Sequence, residues 1–227
     1  PPASAPREWP VYGGSAAGDR YSPLTQINRT NVKSLEVAWT FDTGETGGFQ
    51  TNPIIVGGVL YANTPTHKAL ALDAATGKVL WTFDSGLPGQ GPSRGVTYWA
   101  SGADQRIFTA VDQFMYALDA KTGRPVASFG DQGRIDLRKD LDRDPSLQSV
   151  RLTSPAIVYK DLVIIGGRTS EGEGASPGDV RAYDAKTGAL RWRFRTIPRP
   201  GQPGYETWSV NSWKNIGSAN NWAGMAL

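Results

Sequence analysis

Apolar residues occur in short bursts along this chain, and glycine, proline and asparagine punctuate the intervals. In PIIVGGVLYANTPTHKALALDAATGKVLWTFD the bursts fill segments 53–56, 59–63, 68–73 and 78–83. Each is too short for a stable helix and rich in Val, Ile, Leu, Tyr or Trp, which predicts strands. The intervals hold only a few residues, so no helical crossover fits and the strands must run antiparallel as a meander. The pattern returns in segments 95–99, 106–110, 114–119 and 125–129, and again in 156–159, 162–166, 179–184 and 190–194.

In all three copies an Asp-Ala-x-Thr-Gly turn joins the third strand to the fourth, starting at Asp73, Asp119 and Asp184. The carboxylate can accept backbone N–H groups across such a turn, and the closing glycine (Gly77, Gly123, Gly188) can take positive φ. Four-stranded units recurring at roughly 40–50 residues are the signature of a β-propeller. The predicted fold is all-β, a partial ring of about three whole blades made of four-stranded antiparallel sheets. Segment 1–49 is an N-terminal stretch with an outer blade strand around Trp39, and blades occupy 50–94, 95–151 and 152–200. The middle blade carries an inserted loop, DQGRIDLRKDLDRDPSLQSVR, and 201–227 is a loop plus the first strand of another blade. Trp81 and Trp192 are expected to pack each outer strand on its neighbour, with Phe129 near the matching place in the second copy. A propeller must close to remove its strand edges. The chain is therefore expected to be the N-terminal piece of a longer protein, or to have its edges covered by other copies of itself.

An apolar fraction of 39% with a net charge of only +3 indicates a packed, soluble protein. The basic residues are scattered, apart from Arg191, Arg193, Arg195 and Arg199. These are expected to form the solvated face of a strand, so nucleic acid is not an expected partner. The chain has no cysteine, which excludes disulfides, thiol catalysis and thiolate-bound metals. No apolar run approaches the ~18 residues of a membrane span. The start, PPASAPREW, lacks the charged and apolar regions of a signal peptide, which leaves export open.

HExxH, P-loop and GxGxxG motifs are absent from the sequence. Asp140, Asp142 and Asp144 imitate a calcium loop, but Pro145 stands where glycine is required and Arg151 where glutamate is needed. The lone His67 is expected to be a solvated loop residue. More suggestive groups lie at the ends of inner strands, where a propeller gathers side chains about its axis. These are Arg94 in PSRGVTYW, Glu171 in VIIGGRTSEGEG, and Asn220, Asn221 and Trp222 in GSANNWAGM. Arginine forks onto carboxylates, glutamate binds hard cations and indole offers a stacking face, a set suited to a flat polyanion held beside a cation. Spacing alone leaves turn stabilisation and ordinary packing equally open.

The ordered series WPVYGGSAAGDRYSPLTQIN, RGVTYW, LTSPAIV, PGDVRAYDAKTG and NNWAGM resembles the pyrroloquinoline quinone (PQQ)-dependent dehydrogenases. It is closer to their membrane glucose dehydrogenase branch than to the methanol dehydrogenases. The resemblance covers nearly the whole chain and implies an eight-bladed propeller with PQQ and calcium on its axis. Carried over, Trp222 would stack on the quinone and Arg94 would contact its carboxylate and carbonyl edge. Glu171 would contribute to the metal site, with Ser170 beside it, and Thr153 would donate to a cofactor carboxylate. Gln50, where some relatives place glutamate, and Asn220 would add polar contacts.

The same resemblance implies oxidation of a hydroxyl in the bacterial periplasm. Calcium would polarise a quinone carbonyl, an aspartate would take the hydroxyl proton, and hydride would pass to the quinone. Electrons would then leave to a membrane quinone or a cytochrome. The aspartate and a further metal ligand fall beyond the residue matching Leu227. No catalytic residue is therefore assigned here, and the isolated chain is expected to be inactive. The family's alcohol dehydrogenase branches carry an adjacent cysteine pair near the position of Arg94. Here Pro92 and Ser93 precede it, which favours a sugar or polyol substrate. The alternative is a non-catalytic propeller scaffold of the outer-membrane assembly type. Convergence of Arg94, Glu171 and Trp222 on one hollow would separate the two.

Overall fold

The computed structural model describes residues 8–227. Strands β1 (Ile54–Val56), β2 (Val59–Asn63), β3 (Ala69–Asp73) and β4 (Val79–Phe83) form the first sheet, in sequential order. The second holds β5 (Thr97–Ser101), β6 (Asp104–Val111), β7 (Phe114–Asp119) and β8 (Arg134–Asp136). Further along come β9 (Val150–Arg151), β10 (Ile157–Tyr159), β11 (Leu162–Ile165), β12 (Arg168–Thr169), β13 (Val180–Asp184) and β14 (Leu190–Phe194). Of these, β10, β11, β13 and β14 make the third sheet, while β9 pairs with β12. All strand pairs are antiparallel. Among the described residues, helix is confined to short 3-10 turns, and no helix is long and apolar enough to cross a membrane.

The sequences ALALD (β3) and FMYALD (β7) are apolar on both faces because each sheet is packed between layers. Accordingly the core lies between blades. Ile54, Trp81, Ile107 and Leu118 fill the first seam, and Phe108, Phe129, Val163 and Tyr183 fill the second. Phe108 and Phe129 meet with ring centroids 5.4 Å apart. Full burial of a side chain such as Phe129 stabilises by about 1.5–3 kcal/mol.

The repeated turn performs two tasks. Within its hairpin, Asp73 Oδ1 accepts the Ala75 N–H at 3.1 Å, the Thr76 N–H at 2.8 Å and the Thr76 hydroxyl at 2.7 Å. Those bonds hold the Asp73 carboxyl below the usual carboxylate range. Asp119 and Asp184 repeat the arrangement. Across the seam, the turn seats the tryptophan of the preceding blade. A Cβ on Gly77 would lie 2.6 Å from the Trp39 ring, and one on Gly123 would lie 2.6 Å from the Trp81 ring. The indole N–H of Trp39 donates to Ala74 O at 3.2 Å, and that of Trp81 to Ala120 O at 2.9 Å. Trp39 docks from an extended segment with no ladder partner, so the outer strand expected there is absent among the described residues.

The second blade departs from the predicted pattern. Segment 125–129 makes only an isolated bridge, Leu118↔Pro125, because proline has no N–H to give a ladder. The chain then returns as β8, which lay inside the predicted insertion and pairs with β7. Phe129 fills the second seam at 0% exposure, as an apolar residue with no polar anchor to offer the next blade. That anchor comes from Arg106, with Nη1 donating to Ala185 O at 3.0 Å and Lys186 O at 2.8 Å. Asp104 grips the other side of its guanidinium with two bonds of 2.8 Å, and Trp99 lies 5.5 Å away. Trp192 shares its register with Trp81, yet stands 41% exposed and packs no neighbouring blade among the described residues.

Three further expectations change. Arg193, Arg195 and Arg199 are not a free solvated face. They converge on Asp142 of the inserted loop at 2.7, 3.0 and 3.8 Å, which also explains why Asp142 belongs to no calcium loop. His67 is buried, with Nε2 3.0 Å from Gly91 O and the Gly89 backbone against its ring, because the 85–93 loop folds over it. Finally, residues 219–227 form no strand, although the neighbouring Ser218 bridges Pro177.

Candidate functional site

The residues just ahead of the first strand of each blade are tied to one another. The Asn52 N–H donates to Arg94 O at 3.0 Å, and the Arg94 N–H donates to Thr153 O at 3.1 Å. Thr153 Oγ1 and Ser154 Oγ then donate to Trp222 O at 3.4 and 2.7 Å. This backbone relay crosses both seams and sets the depth of every side chain around it. Gly166 ends the third blade's β11, and a Cβ there would lie only 1.9 Å from Asn221 O. Only glycine permits the arm carrying Trp222 to approach so closely, and the Gly167 N–H bonds the same carbonyl at 2.9 Å.

Arg94 and Trp222 meet at this point. The guanidinium carbon lies 5.2 Å from the indole ring, within cation–π range, and Nη1 donates to Thr153 O at 3.3 Å. Trp222 is 48% exposed and lines a cleft of about 370 Å³. Tyr12, Gly18 and Arg20 line the same cleft. Behind Arg94, the buried Asn63 donates to Ser93 Oγ at 2.6 Å and accepts from Thr109 Oγ1 at 3.1 Å. Together these contacts orient a cation and an aromatic face toward one hollow.

The other expected residues take varied places. Thr153 is buried, and both its carbonyl and hydroxyl serve the relay. Asn220 sits two residues before Trp222, and its buried Nδ2 has no acceptor among the described residues. Ser170 and Glu171 are exposed in the loop after β12. The Ser218 hydroxyl donates to Ser170 O at 2.8 Å, which ties that loop to the arm carrying Trp222. Gln50 is exposed in the segment ahead of β1. Among the described residues no three His, Cys, Asp or Glu side chains gather as a metal site, so Glu171 offers a single carboxylate. An aromatic face and a fixed guanidinium on one cleft fit a flat ligand rich in carboxylates and carbonyls.

Sequence reasoning missed Tyr12, Arg20, Asn63 and Ser154. The paired glycines in VYGGSAAG signalled a close backbone approach, and an asparagine closing a buried strand signalled a polar contact beneath the site. Neither signal named its partner.

Three repeated antiparallel sheets with their inner ends tied together define part of a β-propeller. The family model described as "PQQ: Glucose/ethanol/alcohol dehydrogenase, beta-propeller domain" matches residues 9–227, and the chain belongs to that family. It is 37% identical to the alcohol dehydrogenase (quinone) dehydrogenase subunit of Gluconobacter oxydans, over 93% of this chain and 30% of that protein. It is 33% identical to quinoprotein glucose dehydrogenase A of Acinetobacter calcoaceticus, over 99% of this chain and 32% of that protein. The crystal structure of quinohemoprotein alcohol dehydrogenase from Comamonas testosteroni superposes with a TM-score of 0.72 at 30% identity, over 88% of this chain and 29% of that one. The chain thus spans about a third of the length of the curated relatives it matches.

Proposed function

We propose that this chain supplies the PQQ seat and one carboxylate of an adjoining calcium site in a periplasmic quinoprotein dehydrogenase. The observation that carries this reading is the Arg94–Trp222 stack, held open on a cleft by the Thr153 carbonyl. Bound here, PQQ would supply the hydride acceptor for oxidation of a carbinol carbon, and calcium would supply a Lewis acid. Trp222 gives the quinone plane a stacking surface. Arg94, already pinned on two sides, meets a carboxylate with its orientation fixed in advance. Asn220 contributes an unused donor, and Glu171 offers a hard oxygen ligand. Of the three residues whose convergence separates an enzyme from a scaffold, Arg94 and Trp222 share the cleft and Glu171 is not among its lining residues, so the enzyme reading is supported by the fixed cation stacked on the indole.

The proposed substrate is a sugar or polyol, because Pro92 and Ser93 precede Arg94 and the chain has no cysteine. The proposed electron acceptor is a membrane quinone or a cytochrome. No residue of this chain is assigned as the general base. The 227-residue chain alone is expected to bind PQQ weakly and to show no turnover.

The test is a PQQ titration of the intact apo-protein in calcium, followed by tryptophan fluorescence. Trp222→Ala is expected to abolish tight binding, and Glu171→Gln to raise the calcium concentration required. Unchanged binding in both variants would remove the proposal. Ethanol oxidised faster than glucose and sugar alcohols would overturn the substrate class alone.

A further inference from the structure

The inserted loop reaches the site through Arg143. Its Nη1 donates to Ala175 O at 2.8 Å, and its Nη2 donates to Trp213 O at 2.8 Å and Ile216 O at 2.7 Å. One guanidinium thereby joins two segments that are remote in sequence. The first, 170–178, begins with Ser170 and Glu171; the second, 213–222, ends at Trp222. Between them run the Gly174 N–H to Asn215 O at 3.1 Å and the Ser218 N–H to Ser176 O at 3.0 Å. The loop also gives the Ser149 N–H to Ser176 Oγ at 2.8 Å. No carboxylate bonds the Arg143 guanidinium among the described residues, so its charge is spent on backbone carbonyls. The adjacent Asp142 is fixed by Arg193 and Arg195, which anchors the loop on the third blade.

We infer that Arg143 is a positioning residue, which sets the spacing between the Glu171 loop and the Trp222 arm and so holds the metal ligand and the stacking face in register. The inference rests on the PQQ reading above. Arginine suits the role because its planar fork reaches three acceptors in fixed directions, which a lysine ammonium on a flexible stem cannot do. Outer residues that orient metal ligands typically carry about 10- to 100-fold in metal affinity or activity, and the same range is expected here.

The experiment uses the intact apo-protein with PQQ and calcium chloride, and compares wild type with Arg143→Lys, Arg143→Met and Trp222→Ala. PQQ affinity is read by tryptophan fluorescence, and amide hydrogen exchange is read at Gly174 and Ser218. Both Arg143 variants are expected to bind PQQ about 10- to 100-fold more weakly. Exchange at Gly174 and Ser218 should accelerate while β3 and β7 keep their protection. If Arg143→Met does not fold, the lysine variant decides alone. A folded Arg143 variant with unchanged PQQ affinity overturns the positioning role, even where exchange is faster. Trp222→Ala separates the two failures. If it loses PQQ while the Arg143 variants retain it, only the positioning role falls; if it also binds normally, the PQQ reading falls and takes the inference with it.

Discussion

Arg94 does three jobs with one side chain and its own peptide group. It bridges two blades through its backbone, bonds Thr153 O through Nη1 and stacks on Trp222. Arg94→Lys keeps the charge and loses the fork and the planar face. The expected loss in PQQ binding is about 1.5–3 kcal/mol, the range of a charge-assisted hydrogen bond, measured by calorimetric titration. Arg106 makes the structural counterpart. Arg106→Leu would leave two carbonyls and Asp104 without their partner, and is expected to destabilise the fold by about 3 kcal/mol in urea unfolding. That figure sits at the low end because the Asp104 side chain is 38% exposed. The docking role of Trp81 was legible in the sequence, since it lies in the strand that follows a recurring turn, whereas Trp39 was expected only as part of an outer strand. Arg106 was not legible, because its acceptors lie 79 and 80 residues away and no repeat marks the exchange of an indole for a guanidinium.

At the scale of elements, the Asp-Ala-x-Thr-Gly turn is read by its own hairpin and by its neighbour, and two glycine substitutions separate these effects. Gly58 has φ +77 with open space around its Cβ position, while Gly123 has φ +70 and faces the Trp81 ring. Gly58→Ala is expected to cost only the left-handed strain, about 1–2 kcal/mol. Gly123→Ala adds displacement of Trp81, for a further 1–3 kcal/mol or so. Equal melting temperatures for the two variants would show that the seat contributes nothing. The turns were readable because their bonds are local. Strand β8 was not, because Pro125 satisfies the apolar pattern of a strand while lacking the donor that a ladder needs. Likewise the side chains at inner-strand ends were identifiable by type, but the cleft wall of Tyr12 and Arg20 depends on where the N-terminal segment lands.

For the molecule as a whole, the inserted loop links the Asp142 ion cluster to the segments that carry Glu171 and Trp222, and this linkage is expected to respond to pH. Burial raises the Asp142 carboxyl, but hydrogen bonds and charge from Arg193 and Arg195 outweigh it and hold the group below its ordinary value. A carboxyl lowered in this way stabilises the fold above its unfolded pKa of about 3.9 and loses that contribution as pH falls through the folded value. The Asp142 side chain is 42% exposed, so screening limits its worth to about 1 kcal/mol. Asp179 in the same cluster is raised by burial and acts in the opposite sense. Limited proteolysis of residues 138–149 is expected to speed up below about pH 4 in wild type, whereas Asp142→Asn should already be cleaved readily at pH 6. Cleavage that ignores both pH and substitution would detach the loop from this cluster.

The two seams also differ in kind. Both are packed with apolar side chains, but between the second and third blades Arg106 adds a charged latch closed onto two backbone carbonyls. Dissolved guanidinium competes for those same oxygens, and urea brings no charge to the contest. In guanidinium chloride this latch should give way first, parting the arc along one line. Because the Arg94–Thr153 rung spans that line, the cleft of Arg94 and Trp222 would come apart while most strands were still paired.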